Sequence, residues 1–115
     1  MTQIEGRTHL GERVVITRNE ILVLIREMAD KKAVRPQRPD FYSRLSMTLC
    51  MRYGLNGQKP HSLDEIAARF SVTRSRVQQI EMRALRELCS CADKKRGVCG
   101  YVFKFDAVRE ILRQS

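Results

Sequence analysis

The 115-residue chain has no tryptophan, and its other aromatic residues are three Tyr and four Phe. A core with so few large aromatics has to be built mainly from Leu, Ile, Val and Met, which is typical of small helical proteins. A chain of this length makes one domain with at most a small appendage. We therefore expect an all-α or mainly α fold.

Long hydrophobic runs are also missing from the sequence. No stretch approaches the eighteen or so apolar residues of a membrane span, and the polar segment 1–18 lacks the apolar centre of a signal peptide. The sequence therefore predicts a cytoplasmic protein with no membrane partner. In that compartment its four cysteines would stay reduced.

Recognisable catalytic groups are absent as well. There is no phosphate-binding loop, no nucleophile beside a base and no carboxylate pair outside helix caps. We expect no enzymatic activity and no cofactor. The thiols of Cys89, Cys91 and Cys99 are a candidate zinc site, but they lack the paired spacing of zinc knuckles, so packing as small reduced residues is the favoured interpretation.

Positive charge is what the sequence has in excess. Twenty-two Lys and Arg face thirteen Asp and Glu, which gives a formal charge of +9 and a pI of about 10.0. Such an excess favours a polyanionic partner, and nucleic acid is the usual one. Solvated lysines and arginines on an ordinary surface would give the same count.

Capping and breaking signals divide the chain into three parts. The predicted parts are an N-terminal helix with a basic linker (1–39), a central helical domain (40–90), and a C-terminal loop, short strand and helix (91–115). Thr17 with Glu20 forms a capping box before a helix over about 18–32.

Strand formers occur near both ends of the chain. Arg13–Ile16 and Tyr101–Phe105 are both rich in them. The first run is either an extended arm or one strand of a short β ribbon, in which the second run is its candidate partner. After the second run, Asp106 is predicted to cap a last short helix.

The central part has the pattern of a helix-turn-helix. One helix is predicted over 40–53, and a capping box at Ser62–Glu65 starts a short helix that ends near Phe70. Three residues separate it from a longer helix, capped by Thr73, that ends near Cys89. A short helix, a tight turn and a longer helix describe a helix-turn-helix.

The start of the longer helix carries the side chains suited to DNA. Arg pairs well with guanine and Gln with adenine in the major groove. Candidate base contacts are Arg74, Ser75, Gln78 and Gln79. The helix N-terminus capped by Thr73, together with Arg76, suits phosphates. The alternative is a helical hairpin whose polar face is simply hydrated.

Residues 49–88 closely resemble region 4 of the primary sigma factors. The shared stretches are Met51–Leu55, Ser62–Ala67, Phe70–Arg74 and Val77–Glu81. The family pattern is approximately RFGL, then TLEEIG, then F-x-VTRERIRQIE, then KALRKL. The resemblance implies a region 4-like domain of three to five helices whose second motif helix contacts the −35 promoter element. It also implies that the preceding helices bind the flap tip of the RNA polymerase β subunit.

By matching position, the resemblance assigns roles to individual residues. Arg74 and Gln79 would contact bases. Phosphate contacts would come from Arg52, Thr73, Arg76 and Arg83, the last of them on a basic face that meets activators or upstream DNA. Contacts with polymerase would involve Leu45, Leu49, Leu63 and Ile66.

Two departures from the family pattern bear on DNA specificity. Ser75 stands where the family has Glu, and Gln78 stands where it has Arg. The carboxylate that would accept a hydrogen bond from cytosine is gone, so we expect either a different target sequence or weak DNA binding. No part of the remaining sequence resembles region 2 of the family, so we do not expect a complete sigma factor.

Two hypotheses follow. In the first, the protein is a transcription factor that binds double-stranded promoter DNA and the polymerase β flap, with a sigma factor or activator as a further candidate partner. In the second, it is a protein-binding module that takes hold of polymerase or a sigma factor without reading DNA sequence. Such an inhibitor or antitermination-type modifier is of the kind a phage could encode.

Overall fold

The computed structural model describes residues 2–29, 41–55, 57, 59–98 and 102–114. Its elements are β1 (Gln3–Arg7), β2 (Arg13–Thr17), α1 (Arg18–Ala29), α2 (Phe41–Tyr53), α3 (Leu63–Phe70), α4 (Arg74–Lys95) and α5 (Phe105–Arg113). Helices dominate this part of the chain, which confirms the predicted mainly α fold. None of the described helices combines the length and hydropathy that crossing a bilayer requires.

The chain forms two compact units. The terminal unit comprises Met1–Leu24 and Leu85–Ser115, and the central unit comprises Ile25–Ala84. Segments from both ends of the chain thus share one unit. The basic linker over 31–39 lies outside the described residues.

Two predicted capping boxes are confirmed. The Thr17 hydroxyl accepts from the Glu20 amide at 3.2 Å, and the Glu20 carboxylate accepts from the Thr17 amide at 3.3 Å. At α3, the Ser62 hydroxyl accepts from the Glu65 amide at 3.1 Å, and the Glu65 side chain returns the bond at 3.4 Å. Each box satisfies amides that the first helical turn would otherwise leave without partners.

The predicted β ribbon exists, but its second strand was assigned wrongly. β2 pairs antiparallel with β1, with Gln3 opposite Thr17 and Arg7 opposite Arg13. Residues 102–104 are not a strand, and α5 begins at Phe105. Val102 and Phe103 are both buried, which breaks the alternation of a strand. A nearby partner also costs less loop-closure entropy than a distant one.

The C-terminal helices also differ from the expectation. α4 continues to Lys95 instead of ending near Cys89, because Ala92 is buried and the Asp93 carboxylate accepts from the Phe103 amide at 3.1 Å. α5 begins one residue before Asp106, with Lys104 as N-cap and no side-chain capping bond. Asp106 instead lies in the first turn, where its charge suits the helix dipole.

The loop after α4 contacts β2 and α1 of the terminal unit. Arg96 donates from Nε to the Val15 carbonyl at 2.9 Å and pairs with the Glu20 carboxylate. Burial would raise the pKa of Glu20, but hydrogen bonds from Thr17 and the charge of Arg96 outweigh it and leave that pKa lowered. The lowered pKa means that this contribution to stability is present at neutral pH and is lost in acid.

Gly6 lies against the segment that precedes α5. A Cβ built on Gly6 would be 2.3 Å from the Val102 carbonyl oxygen and 2.7 Å from its Cγ1 atom. A backbone oxygen cannot move aside as a flexible side chain can. The terminal unit therefore requires glycine at this position.

We predict that Gly6→Ala destabilises the protein by about 1–3 kcal/mol, the usual cost of overpacking a core. Urea denaturation followed by circular dichroism measures the effect. Gly11→Ala is the matched control, because its Cβ would meet no atom within 4 Å and only its φ of +82° is unfavourable. A Gly6→Ala protein as stable as the wild type would contradict the packing shown here.

Candidate nucleic-acid interface

The central unit contains the predicted helix-turn-helix. α3 ends at Phe70, residues 71–73 form the turn, and α4 begins at Arg74. Ser71 has φ +56° and is the only non-glycine residue with positive φ among those described. The turn is closed by the Val72 amide, which donates to the Ala67 carbonyl at 3.0 Å. Thr73 caps α4 as expected, accepting from the Arg76 amide at 3.1 Å.

An apolar cluster holds the two motif helices together. Its buried members are Met51, Leu63, Ile66, Ala67 and Val77, with Phe70 and Val72 packed against them. Small side chains where helices cross allow close approach. The back face of α4 is therefore fixed against α2 and α3.

A buried carboxylate adds a polar connection between α2 and α4. Glu81 is 6% exposed, and it accepts a hydrogen bond from the Tyr53 hydroxyl at 2.9 Å. Arg52 Nε lies 3.4 Å from the same carboxylate, and its guanidinium also donates to the His61 carbonyl at 3.3 Å. Arg52, expected at a phosphate, thus makes internal contacts that position α4.

The other predicted DNA contacts share the outer surface of the motif. Arg74, Ser75, Arg76, Gln78, Gln79 and Arg83 are all exposed, and so is Thr73. Val77, Ile80 and Ala84 are buried on the opposite side of the helix. One turn every 3.6 residues produces this division. We call the exposed side chains from Thr73 to Arg83 the α4 outer face.

Burial of Glu81 changes the charge of this surface. The charged residues between Arg74 and Ala84 are Arg74, Arg76, Glu81 and Arg83. Glu81 is the acidic one, and its carboxylate points into the protein. The charged side chains of the α4 outer face are therefore all arginines. The surface is more positive than the sequence count indicates, which suits the phosphates of a nucleic acid.

Arg74 and Arg76 have partners within the protein. Arg74 Nη1 lies 3.6 Å from Asp64 Oδ2, and Arg76 Nη1 donates to the Gln79 side-chain oxygen at 3.2 Å. The side chains of Arg74 and Asp64 are 62% and 73% exposed. An ion pair this exposed contributes roughly 0–1 kcal/mol, so DNA could replace it at little cost.

The residues expected to contact polymerase lie in the core. Leu45, Leu49, Leu63 and Ile66 are each at most 7% exposed. They support α2 and α3 from within and offer a partner almost no surface. Among the described side chains of α2, Met47 is the large apolar one that is exposed, at 46%. The helical spacing places Met47 on the opposite side of α2 from the buried residues. That spacing is the sequence signal that could have identified Met47 as an exposed contact.

Two of the three candidate zinc ligands lie among the described residues. Cys89 and Cys91 are buried, and Cys99 lies outside the described residues. Burial, with the nearby charge of Asp93, raises the pKa of Cys89 to about 11. A thiol with that pKa is protonated at neutral pH. The described residues hold no group of three His, Cys, Asp or Glu side chains placed to bind a metal.

The fold and its exposed positive helix define a helix-turn-helix DNA-binding domain. Residues 43–88 match the family model of sigma-70, region 4, and they form a sigma region 4-like domain. The chain is 44% identical over 45 residues to the RNA polymerase sigma factor RpoD of Neisseria gonorrhoeae, a stretch that is 39% of this chain and 7% of that protein. The chain therefore spans under a tenth of the relative's length. No solved structure gives a significant match.

We predict that Tyr53→Phe destabilises the protein by about 1.5–3 kcal/mol, the usual contribution of a hydrogen bond to a charged group. Urea denaturation of Tyr53→Phe, Glu81→Ala and the double variant measures the coupling between the two side chains. In the Glu81→Ala background, the loss of the Tyr53 hydroxyl should cost much less. Fully additive effects would show that the Tyr53–Glu81 bond does not stabilise the fold.

Proposed function

We propose that the protein regulates transcription by binding promoter or promoter-proximal DNA through α4 and the β flap of bacterial RNA polymerase through α2. The observation that carries this proposal is the α4 outer face, on which arginines and glutamines project from a helix whose back is fixed in a core. The proposal places the protein in the bacterial cytoplasm, where polymerase acts. It assigns the protein no catalytic step.

In this proposal, residues in the first turns of α4 recognise the DNA bases. Arg74, Gln78 and Gln79 are exposed there, and their side chains are those that pair with guanine and adenine in the major groove. Ser75 is the fourth proposed base contact, and its small neutral hydroxyl can both donate and accept a hydrogen bond. Because Ser75 replaces a carboxylate of the family pattern, the preferred sequence differs from the −35 element.

In this proposal, residues at the edges of the same surface contact the DNA phosphates. The amides at the start of α4 favour an anion, and Thr73 stands at that helix end. Arg76 and Arg83 point in nearly the same direction around α4 and supply positive charge along one edge of the base-reading residues. Arg52 acts indirectly in this scheme, since it holds Glu81 and thereby the orientation of α4.

We predict that Arg74→Ala and Gln79→Ala each weaken binding to a selected DNA site by about 1–3 kcal/mol, with little effect on random DNA. Arg76→Ala should weaken binding to all DNA and reduce the dependence of affinity on salt. Fluorescence anisotropy at several salt concentrations separates the two effects.

Arg113→Ala is the control for this set, because Arg113 is an exposed arginine of α5 in the terminal unit. It should leave the preference for the selected site unchanged. Equal weakening of every DNA by Arg74→Ala, Gln79→Ala and Arg76→Ala would exclude direct base readout by α4.

Polymerase binding is supported by the likeness to a polymerase sigma factor and by the surface of α2. Met47 and Arg44 are exposed on that helix, and the guanidinium of Arg44 lies 5.4 Å from the centre of the Phe70 ring. An exposed methionine beside a fixed cation can contact an apolar helix with acidic flanks. We propose that the flap tip meets these exposed residues, with Leu45 and Leu49 behind them.

We predict that Met47→Glu abolishes or strongly reduces capture of polymerase core by the immobilised protein, because it puts a charge where an apolar contact is expected. Polymerase without its β flap tip should also fail to bind the wild type. Leu10→Glu is the matched control, since Leu10 is an exposed apolar residue of the β1–β2 loop. Capture that survives both Met47→Glu and loss of the flap tip would exclude this contact.

The second hypothesis, a protein-binding module that does not read DNA sequence, rests on the internal partners of Arg74 and Arg76 and on the missing carboxylate at Ser75. The same experiments separate the two. Flap-dependent capture together with DNA binding that lacks any sequence preference would favour the module. Capture together with an Arg74-dependent site favours the transcription factor that binds DNA.

A further inference from the structure

One apolar side chain lies within the α4 outer face. Met82 is 46% exposed, whereas Val77, Ile80 and Ala84 of the same helix are buried. Among the described residues of α4, it is the large hydrophobic side chain left in solvent. Met82 does not lie on the buried side of α4 and contributes little to the core.

The position of Met82 around the helix matches that of the base-reading residues. At 100° per residue, Met82 is about 20° away from the direction of Ser75, between the directions of Gln78 and Gln79. It lies about 10 Å along the helix axis from Ser75 and about 4.5 Å from Gln79. A helix that inserts Ser75 and Gln79 into the major groove therefore turns Met82 towards the floor of the same groove.

The surroundings of Met82 indicate the chemistry of its partner. The exposed neighbours within four residues along α4 are Gln78, Gln79, Arg83 and Arg86. An apolar group surrounded by amides and cations fits a surface that has an apolar spot among hydrogen-bonding groups and negative charges. In the major groove, the C5 methyl of thymine is such a spot, and apolar side chains contact it.

We propose that Met82 contacts the C5 methyl of a thymine and so adds a base to the sequence that the protein prefers. The proposal rests on the proposed function, because it requires α4 to enter the major groove. A rise of about 3.4 Å per base pair places this thymine one to three base pairs from the bases contacted by Gln79 and Ser75. The flexible thioether side chain suits a contact of this kind, since it adapts to an irregular apolar surface.

The test begins with selection of a preferred site from random double-stranded DNA by the wild-type full chain. Each thymine of the selected site is then replaced singly by deoxyuridine, which removes only the methyl group. Affinities are measured for the wild type, Met82→Ala, Met82→Leu and Val23→Ala. Val23 is an exposed apolar residue of α1 and serves as the control.

We expect one thymine at which loss of the methyl weakens wild-type binding roughly fourfold, the effect of one buried methyl group. Met82→Ala should bind the thymine and deoxyuridine forms alike, and Met82→Leu should retain most of the difference. Val23→Ala should behave as the wild type. Thermal unfolding of each variant shows that the fold is intact, and the discrimination between two DNAs is independent of the folded fraction.

Three results would overturn the Met82 proposal alone. In the first, the selected site depends on Arg74 but tolerates deoxyuridine at every thymine. In the second, Met82→Ala keeps the full methyl effect. In the third, Met82→Ala leaves DNA binding unchanged and reduces polymerase capture, which would make Met82 a protein contact. Failure to select any site, together with an Arg74→Ala variant that binds DNA as the wild type does, would overturn the proposed function and this inference with it.

Discussion

The orientation of α4 depends on the buried carboxylate of Glu81. A buried charge is costly unless it has hydrogen-bonding partners and a counter-charge, and the end of α2 supplies both through Tyr53 and Arg52. Rotation of α4 about its axis would break these contacts and pull Val77 from the apolar cluster. One polar connection and one apolar cluster thus determine which side of α4 faces solvent.

The same arrangement determines the charge of the exposed surface. Because Glu81 turns inward, its charge is matched inside the protein, and Arg74, Arg76 and Arg83 remain outside. A residue that would weaken attraction to DNA if it were exposed instead supports the helix from behind. The inward position of Glu81 therefore has two effects: it holds α4 in place, and it leaves the exposed face of α4 positively charged.

The sequence predicted local features well and long-range ones poorly. The capping pairs at Thr17, Ser62 and Thr73 act within one helical turn, so their residue types suffice to locate helix starts. The extension of α4 depends on Asp93 meeting the Phe103 amide, a contact that no local signal contains. The contact of Arg52 with the Glu81 carboxylate is also long-range, because the two residues lie on different helices, and no local signal predicts it.

The central claim is that the protein meets DNA with the α4 outer face, and titration with double-stranded DNA followed by two-dimensional NMR of the full chain tests it most directly. The account predicts that the largest amide and side-chain shift changes fall on residues 73–83, with the side-chain amides of Gln78 and Gln79 among them. Changes confined to the terminal unit, or none at all at concentrations where other helix-turn-helix domains bind, would contradict it.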